Sequence, residues 1–106
     1  MNEKIIEIAT ISLATGKTEA DLIEASDRFQ TFLSTQPGFI SRALVHKSDG
    51  NFADVIEWKD KISAEAIMQI AVNSPECGAY FSVMNMEGMD PSEGVAHYSV
   101  LAEYQA

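Results

Sequence analysis

The strands of this chain leave no polar side. In the Ile- and Thr-rich run from 4 to 13, Ile5, Ala9, Ile11 and Leu13 alternate with Ile6, Ile8 and Thr10, so a strand built from it is apolar on both faces. The helices signalled elsewhere in the chain can cover one side of a sheet only. A four-stranded face left bare would exceed the few hundred Å² of contiguous apolar surface that monomers usually expose. A second copy of the same sheet is the simplest cover. It would enclose a cavity between two sheets and make the protein a homodimer.

The other signals fix the order of elements. After the turn "ATGK", Thr18 and Asp21 have the spacing of a capping box, and Leu22, Ala25, Phe29, Phe32 and Leu33 form one helical stripe. "QPG" at 36 to 38 ends that helix. Residues 39 to 47 and 52 to 58 read as strands joined by the hairpin turn "SDGN". Asp60 or Ser63 caps a second helix with the stripe Ile62, Ala66, Ile67, Ile70 and Ala71. Ser74 and Pro75 restart it, with Tyr80, Phe81 and Met84 inward. Residues 95 to 102 give the last strand. The order β-α-β-β-α-β, with right-handed crossovers, predicts an α+β ferredoxin-like fold: a four-stranded antiparallel sheet with helices on one face, in a single domain over 1–106.

Composition narrows the partners. Seven basic against sixteen acidic residues give a net charge of −9, the wrong sign for nucleic acid or an anionic membrane. No run approaches the roughly 20 apolar residues of a membrane span, and the N-terminal stretch lacks a signal-peptide layout, so a cytoplasmic protein is expected. Cys77 stands alone, which excludes an internal disulfide and a thiolate metal site and fits a small buried hydrophobe. No glycine-rich phosphate loop or paired metal ligands occur at helical spacing, so neither cofactor nor metal is expected.

The stretch "FADVIEW" places Asp54 on the same strand face as Phe52, Ile56 and Trp58. An unpaired carboxylate in such company costs several kcal/mol or shifts its pKa upward. Its partner depends on the hairpin. A two-residue turn at Asp49-Gly50 puts Arg42 opposite Glu57, away from Asp54. A three-residue loop, Ser48 to Gly50 with Gly50 left-handed, instead puts Arg42, Leu44 and His46 beside Phe52, Asp54, Ile56 and Trp58. The second is favoured, because it gathers the polar groups on the cavity side and leaves Ala43, Val45, Ala53 and Val55 for the helices.

"QPGFISRAL…DGNFADVIEWKD", then "SPECGAYFSVM" and "VAHYSVL", resembles the antibiotic-biosynthesis-monooxygenase-like family of dimeric α+β barrels along almost the whole chain. In that family's cofactor-free oxygenases, strand three carries an Asn and, four residues on, a Trp. Trp58 agrees; Asp54 replaces the amide with a carboxylate. Those enzymes also use a Tyr early in the following helix, where this chain has Ala64 or a neighbour. The haem-degrading branch has a helix Trp where this chain has Ile67, and a His where residues 73 to 85 have none, so haem is not expected. The resemblance implies a cofactor-free monooxygenase acting on an electron-rich phenol or quinol. Asp54 or His46 would be the base, Arg42 the oxyanion stabiliser, and Trp58, with Phe52, Ile56, Leu44 and His97, the substrate wall. The same set would serve a proton-transfer isomerase. The competing class is a ligand-binding or interaction module without turnover, in which Arg42–Asp54 is a structural ion pair, Trp58 is filling, and Met84, Met86 and Met89 fill gaps.

Overall fold

Capping, turn chemistry and register account for the local structure. A computed structural model describes residues 3–71, 73–85 and 94–106. Strand β1 (Ile5–Ile11) leads to helix α1 (Glu19–Leu33), which opens on the full capping box between Thr18 and Asp21. Strands β2 (Phe39–His46) and β3 (Phe52–Trp58) form the hairpin. Helix α2 (Lys61–Ala71) follows, with Asp60 accepting from the Ser63 N–H. Helix α3 (Pro75–Phe81) starts at Ser74, with Pro75 in its first turn, and strand β4 (Val95–Ser99) completes the sheet. The strand order is β2-β3-β1-β4 with every pair antiparallel, the ferredoxin-like arrangement.

The hairpin resolves to the three-residue loop. His46 pairs with Phe52, the Lys47 N–H donates to the Asn51 carbonyl, and Gly50 takes a positive φ of 92° that other residues adopt with difficulty. Arg42 therefore lies opposite Ile56 and Leu44 opposite Asp54. An irregularity between Phe39 and Ser41 takes up one residue, so Phe39 stays on the Trp58 side although it is three residues before Arg42.

Register and face separate here, and one expectation is reversed. The face holding Arg42, Asp54, Phe52, Ile56 and Trp58 is the one under the helices, with Ser26 and Phe29 of α1 and Tyr80 of α3 packed over it. Ala43, Val45 and Val55 face the open side. Size explains the reversal. The stripe of Leu22, Phe29 and Leu33 must be met by large side chains, and Ile5, Ile11, Phe52, Ile56 and Trp58 fill that gap where alanines and valines would leave voids.

Helix α2 is also rotated from its expected stripe. Ser63, Ala64 and Ile67 are buried, while Ile62 is 79% exposed and Ile70 41%. The start of the helix packs on Gly38, whose φ is +80°, so closely that a β-carbon there would collide with Ser63. That contact sets the phase of the helix. Cys77 is fully buried beside Tyr80 in α3, as expected of a small hydrophobe. Met84 packs partly buried against the core; Met86, Met89 and the Ala71 side chain lie outside what is described. No described helix is long and apolar enough to cross a membrane.

Candidate functional site

Two polar clusters sit on the helix-covered face. The first centres on Arg42 and Asp54, whose side chains are each 4% exposed. Arg42 Nε donates to Asp54 Oδ1 at 3.1 Å, Nη1 to the Ser26 carbonyl at 3.1 Å, and Nη2 to Ser26 Oγ at 2.8 Å and Tyr80 Oη at 2.9 Å. The Tyr80 hydroxyl donates to Asp54 Oδ2 at 2.7 Å. The guanidinium lies 5.2 Å from the ring centroids of both Phe29 and Tyr80, which themselves stack at 4.6 Å. Burial pushes the Asp54 carboxyl above the usual carboxylate range, and Arg42 and the Tyr80 hydroxyl pull it back. Burial, with Asp54 next to it, also drives the Tyr80 phenol well above its ordinary value. Both carboxylate oxygens are engaged, so the cluster is closed.

The second cluster centres on Glu7 of β1, which pairs with Ile56 on one side and His97 on the other. Glu7 is buried, and its Oε1 lies 2.9 Å from His97 Nε2, while the His97 side chain remains 33% exposed at the sheet edge. Burial raises the Glu7 carboxyl, against the pull of His97 and, more weakly, of the Trp58 indole. Trp58 Nε1 itself makes no hydrogen bond. Among the described residues it is the buried side-chain polar atom left without a partner. The Trp58 ring is wholly buried, edge-on to Phe39 at 5.8 Å.

The expected site residues thus divide. Arg42 and Asp54 meet, with Leu44 and Ile56 opposite them in the register and Trp58 further along β3. They lie beneath helices, not in a cavity between two sheets. His46 does not join them. It stacks on Phe52 at 4.8 Å, 61% exposed, with Nδ1 4.0 Å from Glu19. His97 stands with Glu7. Three partners were missed in the sequence. Ser26 interrupts the α1 stripe between Leu22 and Phe29, which is a legible signal. Glu7 shares strand parity with Ile5 and Ile11. Tyr80 reads as one more apolar position until its hydroxyl is given a neighbour. The tyrosine that the resemblance places early in α2 is absent there, yet a tyrosine reaches the same face from α3. An open groove of about 230 Å³ lies elsewhere, between α1 and α3, lined by Lys17, Asp21, Glu24, Arg28 and Ser82. No three of the described His, Cys, Asp and Glu residues converge as a metal site.

No protein-family model matches the sequence, and no curated protein does. Solved structures do match. A variant of SnoaB, a cofactor-independent oxygenase from Streptomyces nogalater, superposes with a TM-score of 0.68 at 14% identity over 97% of this chain and 96% of its own. The heme-degrading protein Rv3592 from Mycobacterium tuberculosis gives 0.67 at 15% identity over 100% of both chains. A protein from Nitrosomonas europaea, provisionally named an antibiotic biosynthesis monooxygenase, gives 0.65 at 18% over 95% and 93%. The chain has the α+β ferredoxin-like fold of the antibiotic-biosynthesis-monooxygenase-like proteins. At these identities the likeness speaks for fold, and the reaction has to be argued from the site.

One expectation is corrected by these relatives. The sequence predicts no haem, because Ile67 stands where a helix tryptophan is expected and residues 73 to 85 hold no histidine. The same fold, at full coverage of both chains, carries a heme-degrading protein. Those two missing side chains remove one set of contacts to the ligand, not the capacity of the fold for it, and they do not exclude haem.

Proposed function

We propose that the chain is a cofactor-independent monooxygenase acting on an electron-rich phenol or quinol held beneath the helices against Trp58. The observation that carries this reading is the Trp58 Nε1–H, a fully buried donor that makes no hydrogen bond. Native interiors rarely keep such a group, and an oxygen of a bound aromatic would satisfy it. In this chemistry the deprotonated substrate is itself the electron donor to dioxygen. Such chemistry requires a water-poor pocket, a proton acceptor and a positive field for the developing oxyanion. Arg42 would act on that charge from a distance, because its donors are engaged by Asp54, Ser26 and Tyr80. Because both oxygens of Asp54 are engaged, we assign that residue to holding Arg42 and Tyr80 rather than to moving protons. SnoaB, a cofactor-independent oxygenase, is built on the same fold, so the fold accommodates this chemistry.

Dioxygen uptake with 1,4-dihydroxynaphthalene tests the reading against the uncatalysed autoxidation rate. Trp58→Phe keeps the ring and removes the donor, and should slow uptake by up to about tenfold, the worth of one hydrogen bond. Binding of the quinol without uptake above the background would leave the competing reading, a binding module, which the closed Asp54 favours.

We also propose that two copies pair through the open sheet face. Ile6, Ile8, Val45, Val55 and Tyr98 line that face, and beyond β4 Leu101 and Tyr104 stand 92% and 90% exposed. Light scattering should give about twice the 11.6 kDa of the chain; the single-chain mass would refute the pairing.

A further inference from the structure

We infer that His97 is the proton acceptor of this site, its Nδ1 taking the hydroxyl proton of a phenolic substrate while Glu7 fixes the tautomer that permits it. The inference rests on the reading of the site as one for a phenol or quinol.

The pair spans from core to surface. Glu7 is 5% exposed and opposite His97 in the β1–β4 register, whereas the imidazole is one-third open at the edge strand. When Glu7 is ionised it can only accept a hydrogen bond, and the 2.9 Å contact then requires the imidazole proton on Nε2 and leaves the lone pair on Nδ1. Proton uptake then creates an imidazolium directly against a carboxylate that compensates it, the arrangement that makes a histidine an effective base. The step is balanced: the substrate O–H bond breaks, an N–H bond forms at Nδ1, and the phenolate keeps the electron pair. Trp58 stands two residues beyond Ile56, the β3 partner of Glu7, and so shares a sheet face with Glu7 and His97. The other two candidates are worse placed. Asp54 has no free oxygen, and His46 stands in solvent with Glu19 and Phe52 as its neighbours.

4-Nitrophenol tests this directly, because its phenolate absorbs visible light where the neutral phenol does not. At a pH where the free phenol is mostly neutral, the wild-type protein should bind it as phenolate. His97→Gly should bind it neutral, with quinol-dependent uptake lowered by about 100-fold or more, the contribution of a general base. Added imidazole should restore part of both signals, which a merely structural histidine would not allow. Glu7→Gln should weaken the phenolate signal without imidazole rescue. A wild-type protein that leaves the phenol neutral or unbound overturns the inference, as does a His97→Gly variant that still ionises it. The two readings fail separately. Bound phenolate without oxygen uptake removes the oxygenase and keeps the base; uptake at full rate in His97→Gly removes the base and keeps the oxygenase.

Discussion

Asp54 and Glu7 are both carboxylates buried on one sheet face, yet they have been left in opposite conditions. Asp54 is locked between a guanidinium and a phenol, with both oxygens engaged beneath two helices. Glu7 meets an imidazole one-third open at the edge of the sheet, on the face where the Trp58 indole donor stays unsatisfied. The first arrangement resists change; the second has a route for a proton. Burial alone therefore does not identify the working acid–base group, and what decides it is whether a neighbour can still exchange with solvent.

The sharpest way to break this comparison is to remove Arg42. Arg42→Met strands the Asp54 charge beneath α1 and α3 and should cost about 3–5 kcal/mol in urea denaturation, a large share of the roughly 5–15 kcal/mol that holds a domain together. The double variant Arg42→Met, Asp54→Leu should recover most of that loss if the pair is structural, since apolar replacements of a buried ion pair are often neutral or better. A double variant as unstable as the single one would show that Tyr80 and Ser26 depend on the charge. Tyr80→Phe comes next. It removes a hydrogen bond to a charged acceptor and should cost about 1.5–3 kcal/mol; an unchanged urea midpoint would mean that the phenol does not hold Asp54.

The effect at Glu7 is smaller and depends on pH. Folding raises its carboxyl above the ordinary 4.5 through burial. A carboxyl raised in this way adds its stability in full below the ordinary value and loses it as pH rises through the folded value. The melting temperature of wild type relative to Glu7→Gln should therefore favour wild type more at about pH 4 than at about pH 7. The opposite slope would mean that His97 outweighs desolvation. The smallest signal is optical. Trp58, wholly buried, should emit at short wavelength and resist acrylamide, and red-shifted emission would contradict the packing on which both clusters rest.

The fold was legible because it is written in local signals. Thr18 with Asp21, Pro37-Gly38, Gly50, and Ser74 with Pro75 each mark a boundary by their own chemistry, and the strand pattern does the rest. The Arg42–Asp54 contact was legible for a related reason, because strand parity and loop length fix it. What covers that face was not. Parity divides residues into two sets without saying which set meets the helices, and here side-chain volume decides. The polar partners supplied from other elements, Ser26 and Tyr80, were hidden because a helical stripe reveals direction and not what stands opposite. The phase of α2 was missed for the same kind of reason, since Gly38 sets it from a distant part of the chain.

The hairpin loop has a consequence for how this protein can change. Its three residues act as a parity switch for a whole strand. Losing one of Ser48, Asp49 or Gly50 would turn β2 over, sending Arg42, Leu44 and His46 outward and bringing Ser41, Ala43 and Val45 beneath the helices. A single deletion in an exposed loop would then act as a set of simultaneous core substitutions and would leave Asp54 buried without its cation. Insertions and deletions elsewhere on the surface are cheap; at this hairpin the spacing carries as much information as the arginine it positions.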